Sequence, residues 1–559
     1  MTHSGAILLA PGVKRARTGA PRRLMRGTIL ATAAASRHDG AALVGRRGQV
    51  IESEGYIADV GYTAGFYPET APGHLAFAAM AAGSAPGGAA APARVLELGF
   101  GQGFGLALLA AANPDIAFEG CDFNAGHVAH ARALVGAADL ANLTVAQARF
   151  EDVAARGGKR DVDAVILHGV LSWVGPATQK ALTAILRRRL RKAGALYVSY
   201  NCMPGWGPLA PIRRLVDEVG RSGGGGSETR IARALDLLVR LKGADARYFL
   251  ANPAAARHLD AMLGMDRAYL AHEYLAEHWR APPFAEVAAL LDGAGLRFAA
   301  SATLTENFDA FAAPANTRPL IAQTADPILR EGLRDFAANR TFRRDLFLRD
   351  PPPPDAAAHR RSLGRTCFAL AAPRGRIVFK FVGPLGELIG REDFYGPIVD
   401  RLAGGPTAFD ELLALPAFGE AAVDRLVECL AVLIHSGQVL ARAAPAPEDG
   451  APARRFNRMV VDAARTGRLY GWLASPVART GVRVDDFGLL TLAALFDGEA
   501  ATPEAAARRG LAVIAGLGRR PRDGGRALDD DGEALAFLAE RMRPALEEDL
   551  PLWRSLGVV

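Results

Sequence analysis

Val95-Leu-Glu-Leu-Gly-Phe-Gly-Gln-Gly103 decides the fold: a short apolar strand runs into three alternating glycines, and an apolar helix opens directly behind them. Glycine at 99, 101 and 103 lets the main chain approach a ligand with no Cβ in the way. Nineteen residues after Gly103, Asp122 closes a second candidate strand, Phe118-Glu-Gly-Cys-Asp122, where a carboxylate can accept both hydroxyls of a ribose. A nicotinamide dinucleotide needs its third glycine at position 104, which is Phe104 here. The acidic Glu97 within the strand likewise suits a ligand that carries no pyrophosphate.

Outward from this loop, short apolar strands alternate with amphipathic helices, as parallel βαβ units require. Strands are expected at Val95–Leu98, Ile116–Cys121, Leu143–Ala148, Ala164–Leu167 and Ala195–Tyr200, with helices opening near Gly103, Ala125, Ala177 and Pro211. That pattern predicts an open, doubly wound, Rossmann-like α/β sheet over residues 51–220, with its ligand beyond the carboxyl ends of the strands. Residues 221–350 read as a helical middle domain, in which Ile231, Leu235, Leu238 and Leu241 share a face. Within it, the stretch 281–305 offers one more helix and strand that can return to the sheet, leaving 221–280 as an insertion over the substrate end. Residues 356–445 form a winged-helix-like pattern with a strand at Ile377–Phe381, a helix at Ala421–His435 and a wing at Gly437-Gln-Val-Leu440, and 455–559 read as helical.

Bulk properties exclude several functions. The chain has 559 residues and a formal charge of +7, but residues 1–50 hold nine basic groups and one acid, so the remainder is near neutral and carries no footprint for nucleic acid. That basic stretch lacks periodicity and is expected to be a disordered extension. No run of about twenty apolar residues predicts a membrane span. Cys121, Cys202, Cys367 and Cys429 lie far apart without a C-x-x-C pair, which predicts neither a metal site nor disulfides and fits a cytoplasmic location.

The glycine loop with Asp122 resembles the class I S-adenosylmethionine (SAM)-dependent methyltransferases. The blocks His168-Gly-Val-Leu-Ser-Trp-Val174 and Ser199-Tyr-Asn-Cys-Met-Pro-Gly-Trp206 are similar to those of a bacterial subfamily with a methyltransferase regulatory domain. Tyr62-Thr-Ala-Gly-Phe-Tyr-Pro68 and Asn339-Arg-Thr-Phe-Arg-Arg-Asp-Leu-Phe347 resemble its flanking motifs. The subfamily includes protein-lysine methyltransferases of bacterial outer-membrane proteins. The resemblance implies SAM as cofactor, held by Gly99, Gly101, Gly103 and Asp122 with Phe123 beside it, and by Phe150 or Glu151 at the adenine. Glu97 would anchor the loop or meet the methionine ammonium. Phe100 replaces a cysteine frequent in the subfamily, which implies changed packing. The first fifty residues have no counterpart there, which leaves open a start at Met25 or later.

Methyl transfer asks mainly for alignment and exclusion of water. A lysine acceptor must also lose a proton, because at a pKa of about 10.4 few amines are neutral near pH 7. His168, Tyr200 and Asn201 at strand ends are the expected catalytic groups, with Tyr62, Tyr67, Trp173 and Trp206 around the acceptor. No Asn/Asp-Pro-Pro-Tyr block follows the fourth strand, which disfavours adenine N6 and glutamine amides. The expected acceptor is a protein lysine, and the extra domains are expected to shape acceptor access or dimer contacts. A small-molecule acceptor and a SAM-binding protein without turnover are the alternatives.

Overall fold

The computed structural model describes residues 7–9, 64–84 and 91–559, apart from 352, 354, 384, 420 and 421. The expectations for residues 1–6 and 10–50 and for Tyr62 therefore lie outside the described residues, while Ile7–Leu9, expected to be part of a disordered extension, form a strand whose main chain pairs with Leu388–Gly390. A seven-stranded sheet forms the centre, built from β1 (Arg94–Leu98), β2 (Ala117–Asp122), β3 (Leu143–Gln147), β4 (Val162–Leu167), β5 (Leu190–Asn201), β6 (Leu296–Ser301) and β7 (Phe342–Arg349) in the order 3-2-1-4-5-7-6. The first five strands run parallel, while β7 is antiparallel to both β5 and β6. Crossover helices α1 (Phe104–Ala112), α2 (Ala125–Ala138), α3 (Phe150–Arg156) and α4 (Pro176–Arg189) cover its faces, as parallel strands need. The chain order reverses beside β1, so the crevice at that switch point is where a ligand belongs.

Strand alternation sorts β1, β4 and β5 between two cores. Val95, Ile166 and Tyr197 join the core on one face, and Leu96, Leu98, Val165, Val198 and Tyr200 join the other. Helix α1 is buried along nearly its whole length, which matches a sequence, Phe-Gly-Leu-Ala-Leu-Leu-Ala-Ala-Ala, that is apolar all round. Its outer side is covered by the C-terminal region, whose Phe456, Leu473 and Val482 belong to the same continuous core.

Strand β7 is absent from the sequence-based expectations. Phe342-Arg-Arg-Asp-Leu-Phe-Leu-Arg349 looks like surface, yet Arg343 and Asp345 are completely buried. Their burial is possible because Arg343 donates to Asp345 (2.8 Å), Asp335 (2.6 Å) and Glu331 (2.8 Å), and stacks its guanidinium 4.2 Å above the Phe284 ring. The charges compensate one another and disappear from the hydrophobic pattern.

Helices α5 (Ala210–Arg221) and α6 (Ser227–Gly243) form a hairpin through the Ser222–Ser227 glycine turn, and α7 (Arg267–Leu275) joins them around Trp206, Ile212, Ile231 and Leu270. The chain then passes through Phe284–Asp292 into edge strand β6. In the 356–445 unit, helices Phe409–Leu413 and Val423–His435 are followed by strand Val439–Arg442. That strand pairs with Cys367–Leu370, which precedes the helices, and among the described residues no second strand follows to complete a wing hairpin. The strand expected at Ile377–Phe381 begins later, at Lys380–Gly383. Among the described residues, no helix is long and apolar enough to cross a membrane.

Candidate active site

The loop after β1 adopts the conformation its glycines permit. Gly99, Gly101 and Gly103 all have positive φ, at 76°, 58° and 73°. A Cβ at Gly99 would fall 2.8 Å from the Val170 side chain, and one at Gly103 would fall 2.6 Å from Ala131 Cβ. The loop thus lies against β4's following turn and against α2, with its main chain forming one wall of a crevice. Asp122 holds the opposite wall. It is buried, accepts the Gly101 N–H at 2.9 Å on one oxygen and the Asn124 N–H at 2.9 Å on the other, and lies 3.3 Å from His127 Nδ1.

Glu97 borders the same crevice, and among the described residues no hydrogen bond or ion pair satisfies its carboxyl. Burial, with the Asp122 charge adding to it, pushes its pKa up to about 8. Phe123, Phe150 and Glu151 line the side beyond Asp122, where the Thr178 hydroxyl donates to Glu151 at 2.7 Å. His168, Tyr67 and Trp173 line the other end. The Tyr67 and His168 rings stack at 3.7 Å, while His168 Nδ1 lies 2.9 Å from the Tyr197 hydroxyl and 3.2 Å from Ser199 Oγ. Burial lowers the His168 pKa to about 4, so its imidazole is neutral near pH 7.

Three groups missed by sequence reasoning, His272, Glu273 and His278, reach the crevice from the helical insertion. The His278 ring rests over Gly175 at the start of α4, and the Arg280 N–H donates to the Ser172 carbonyl at 2.8 Å, which ties the insertion to the turn after β4. Glu273 also has no hydrogen bond or ion pair among the described residues, and burial pushes its carboxyl up to about 7. The sequence carried no signal for it, because a glutamate within an amphipathic helix ordinarily marks the solvated face.

Three expected site residues lie elsewhere. The Tyr200 side chain is turned to the sheet face opposite Tyr197 and Ser199, is fully buried, and donates its hydroxyl to Asp345 at 2.6 Å. It is a member of the Arg343 network and does not border the crevice. Asn201 is also buried outside the crevice: its N–H donates to Ser172 Oγ at 2.8 Å and its side-chain amide nitrogen finds no partner among the described residues. Trp206 packs in the core of the insertion, 4.7 Å from Trp279 between ring centres. Period-two alternation explains Tyr200: the block that ends β5 places only every second side chain toward the His168 side. Accordingly, Tyr200→Phe is expected to lower stability by about 1–2 kcal/mol while turnover stays at the wild-type level. Paired urea unfolding and activity measurements check this.

Comparison with known proteins places this arrangement. A family model described as a methyltransferase domain matches residues 95–194, and one described as a predicted methyltransferase regulatory domain matches 266–349. The uncharacterized protein sll1526 of Synechocystis is 31% identical over 514 residues, covering 90% of this chain and 99% of the relative. The structure of PKMT2 from Rickettsia typhi in complex with AdoHcy superposes with a TM-score of 0.64 at 18% identity, over 89% of this chain and 99% of that one. The chain belongs to the class I SAM-dependent methyltransferases with a methyltransferase regulatory domain. The uncharacterized protein RP789 of Rickettsia prowazekii is a partial relative, 31% identical over 175 residues and 31% of each chain.

The crevice of this methyltransferase fits SAM. A Cβ at Gly99 would collide with its surroundings, so the main chain can lie close to a ligand only because glycine is there. Glu97, half-buried and unpaired among the described residues, would provide the acceptor an ammonium requires, and Asp122 would provide acceptors for a ribose. When bound, SAM supplies an electrophilic methyl on a sulfonium. The chain's own part would be to hold that group by the loop, exclude water with Tyr67, Trp173 and the insertion, which line the crevice, and receive the acceptor. Asp122→Ala is expected to weaken SAM binding by about 1–3 kcal/mol, roughly 5- to 150-fold. It removes both a ribose acceptor and the carboxylate that fixes the Gly101 N–H, and calorimetric titration reads the loss.

Proposed function

We propose that this methyltransferase transfers methyl groups to lysine side chains of proteins, with an outer-membrane or surface protein before export as the class of acceptor. The observation that carries this reading is Glu273, a carboxyl without a partner among the described residues, in the same crevice as the glycine loop. An arriving ammonium is attracted to it and must then lose a proton before it can attack carbon. Burial pushes the Glu273 pKa up to about 7, and the same desolvation drives an amine's pKa down from about 10.4, so the two converge and proton transfer becomes feasible. Tyr67 and Trp173 present aromatic surface to the lysine stem and its charge. The neutral His168, held by Tyr197 and Ser199, supports the Tyr67 ring and is too weak a base to take the proton itself.

The fold shared with PKMT2 of Rickettsia typhi, which was captured with AdoHcy, supports the reading. The test is incubation with methyl-labelled SAM and an unfolded bacterial outer-membrane protein, followed by peptide mass spectrometry. Methyllysine in the protein is the expected result. Label confined to acid-soluble small molecules would establish a small-molecule acceptor instead.

A further inference from the structure

The glycine loop has an expensive conformation: three residues at positive φ lose more freedom on ordering than any other residue type would. Asp122 fixes one of its N–H groups from below. On the other side, the carbonyl of Gln102, a crevice-lining residue, lies 2.6 Å from His130 Nδ1 on α2, and His130 Nε2 lies 2.9 Å from the hydroxyl of Tyr470. Tyr470 belongs to the C-terminal region, some 340 residues along the chain from His130. Its ring lies parallel to that of Phe104, the first residue of α1, at 4.3 Å with 1° between planes.

The protons along this chain have one consistent arrangement. A carbonyl oxygen only accepts, so His130 Nδ1 carries the hydrogen and donates to Gln102. Burial lowers the pKa of His130, so the ring is neutral and Nε2 presents a lone pair. The Tyr470 hydroxyl must then donate to Nε2, and its oxygen accepts from Arg468 Nη1 at 3.4 Å. Each donor has one acceptor, in a single direction from Arg468 to the loop.

We propose that Tyr470 is a positioning residue for SAM: acting through His130, the C-terminal region sets the Gln102 carbonyl and thereby holds the glycine loop in its binding conformation. The C-terminal region is in this way part of the cofactor site. The inference does not depend on which acceptor is methylated. It also accounts for the otherwise costly exposure that α1 would suffer alone, since the same region covers that helix and is anchored below it, where Arg479 donates to Asn113 at 2.9 Å and pairs with Asp115 at 2.6 Å.

The experiment uses the full chain and calorimetric titration with SAM. Tyr470→Phe keeps the ring stack on Phe104 and removes only the hydroxyl, and it is expected to weaken SAM binding about fivefold. In kinetics the KM for SAM rises by the same factor while kcat at saturating SAM is unchanged. His130→Ala produces a loss of at least that size, and the Tyr470→Phe/His130→Ala double variant is no weaker than His130→Ala alone, because both act along one chain. Wild-type affinity in Tyr470→Phe, with or without a lowered melting temperature, would overturn the proposal. Multiplying losses in the double variant would overturn the route through His130.

Discussion

Glu273→Gln is expected to lower kcat on a protein acceptor by roughly 100-fold or more, the scale of a lost general base, while SAM affinity stays at the wild-type level. The amide retains the size and much of the polarity of the carboxyl but cannot take a proton. Glu273 lies near Tyr67, whose hydroxyl pKa its charge helps to push up, and is not among the groups bonded to Asp122, so SAM's sugar is not expected to depend on it. The pH profile separates this from a structural effect. With the carboxyl pushed up to about 7, the wild-type rate climbs as pH rises through that region, because only the ionised form accepts a proton. A bound cation moves the climb to lower pH. The glutamine variant lacks that limb, and its residual rate follows the ionisation of the amine alone. A variant with normal kcat and normal pH dependence would remove Glu273 from the chemistry.

Arg343→Ala is expected to cost about 3–5 kcal/mol of stability, because one guanidinium compensates three buried carboxylates. Asp345, Asp335 and Glu331 all accept from it at 2.6–2.8 Å. Without it, these acids would remain in a low-dielectric core, facing one another. Their folded pKa values rise, that of Glu331 from below the usual carboxylate range, where Arg343 and Arg334 hold it against burial, and those of Asp345 and Asp335 from above it, Asp335 being already pushed up to about 6, chiefly by burial. Groups whose folded pKa exceeds the unfolded value bind more protons in the native state, so stability falls as pH rises through that interval. The deficit against wild type should therefore shrink as pH drops from 8 toward 6. The urea midpoint at which SAM binding is lost, measured at several pH values, checks both size and sign. An equal deficit at every pH would show that lost packing on Phe284, and not charge, carries the effect.

The parallel half of the sheet and the cofactor end of the crevice were legible in the sequence because they follow local rules. Glycines that need positive φ and an acid at the end of the adjacent strand leave a fixed spacing, and Glu97, Gly99, Gly101, Gly103, Asp122, Phe123, Phe150 and Glu151 all border the crevice. The acceptor end was not legible to the same degree. His168, Tyr67 and Trp173 are there, but Glu273, His272 and His278 arrive from an insertion whose docking depends on tertiary contacts such as Arg280 with Ser172. Tyr200 was misplaced because block similarity marks the end of a strand without indicating which face a side chain occupies. Strand β7 escaped because buried, mutually compensated charges imitate a solvated loop. The packing of the C-terminal region over the uniformly apolar α1 was likewise not read from the sequence, because it rests on contacts between segments far apart along the chain.

A crystal structure of the full chain grown with S-adenosylhomocysteine tests the account most directly. The expected density places the amino-acid end along Gly99–Gly103 near Glu97, the ribose on Asp122 and the adenine beside Phe150, with Glu273 facing the sulfur side. An empty crevice at saturating ligand, or a glycine loop closed across it, would contradict the account.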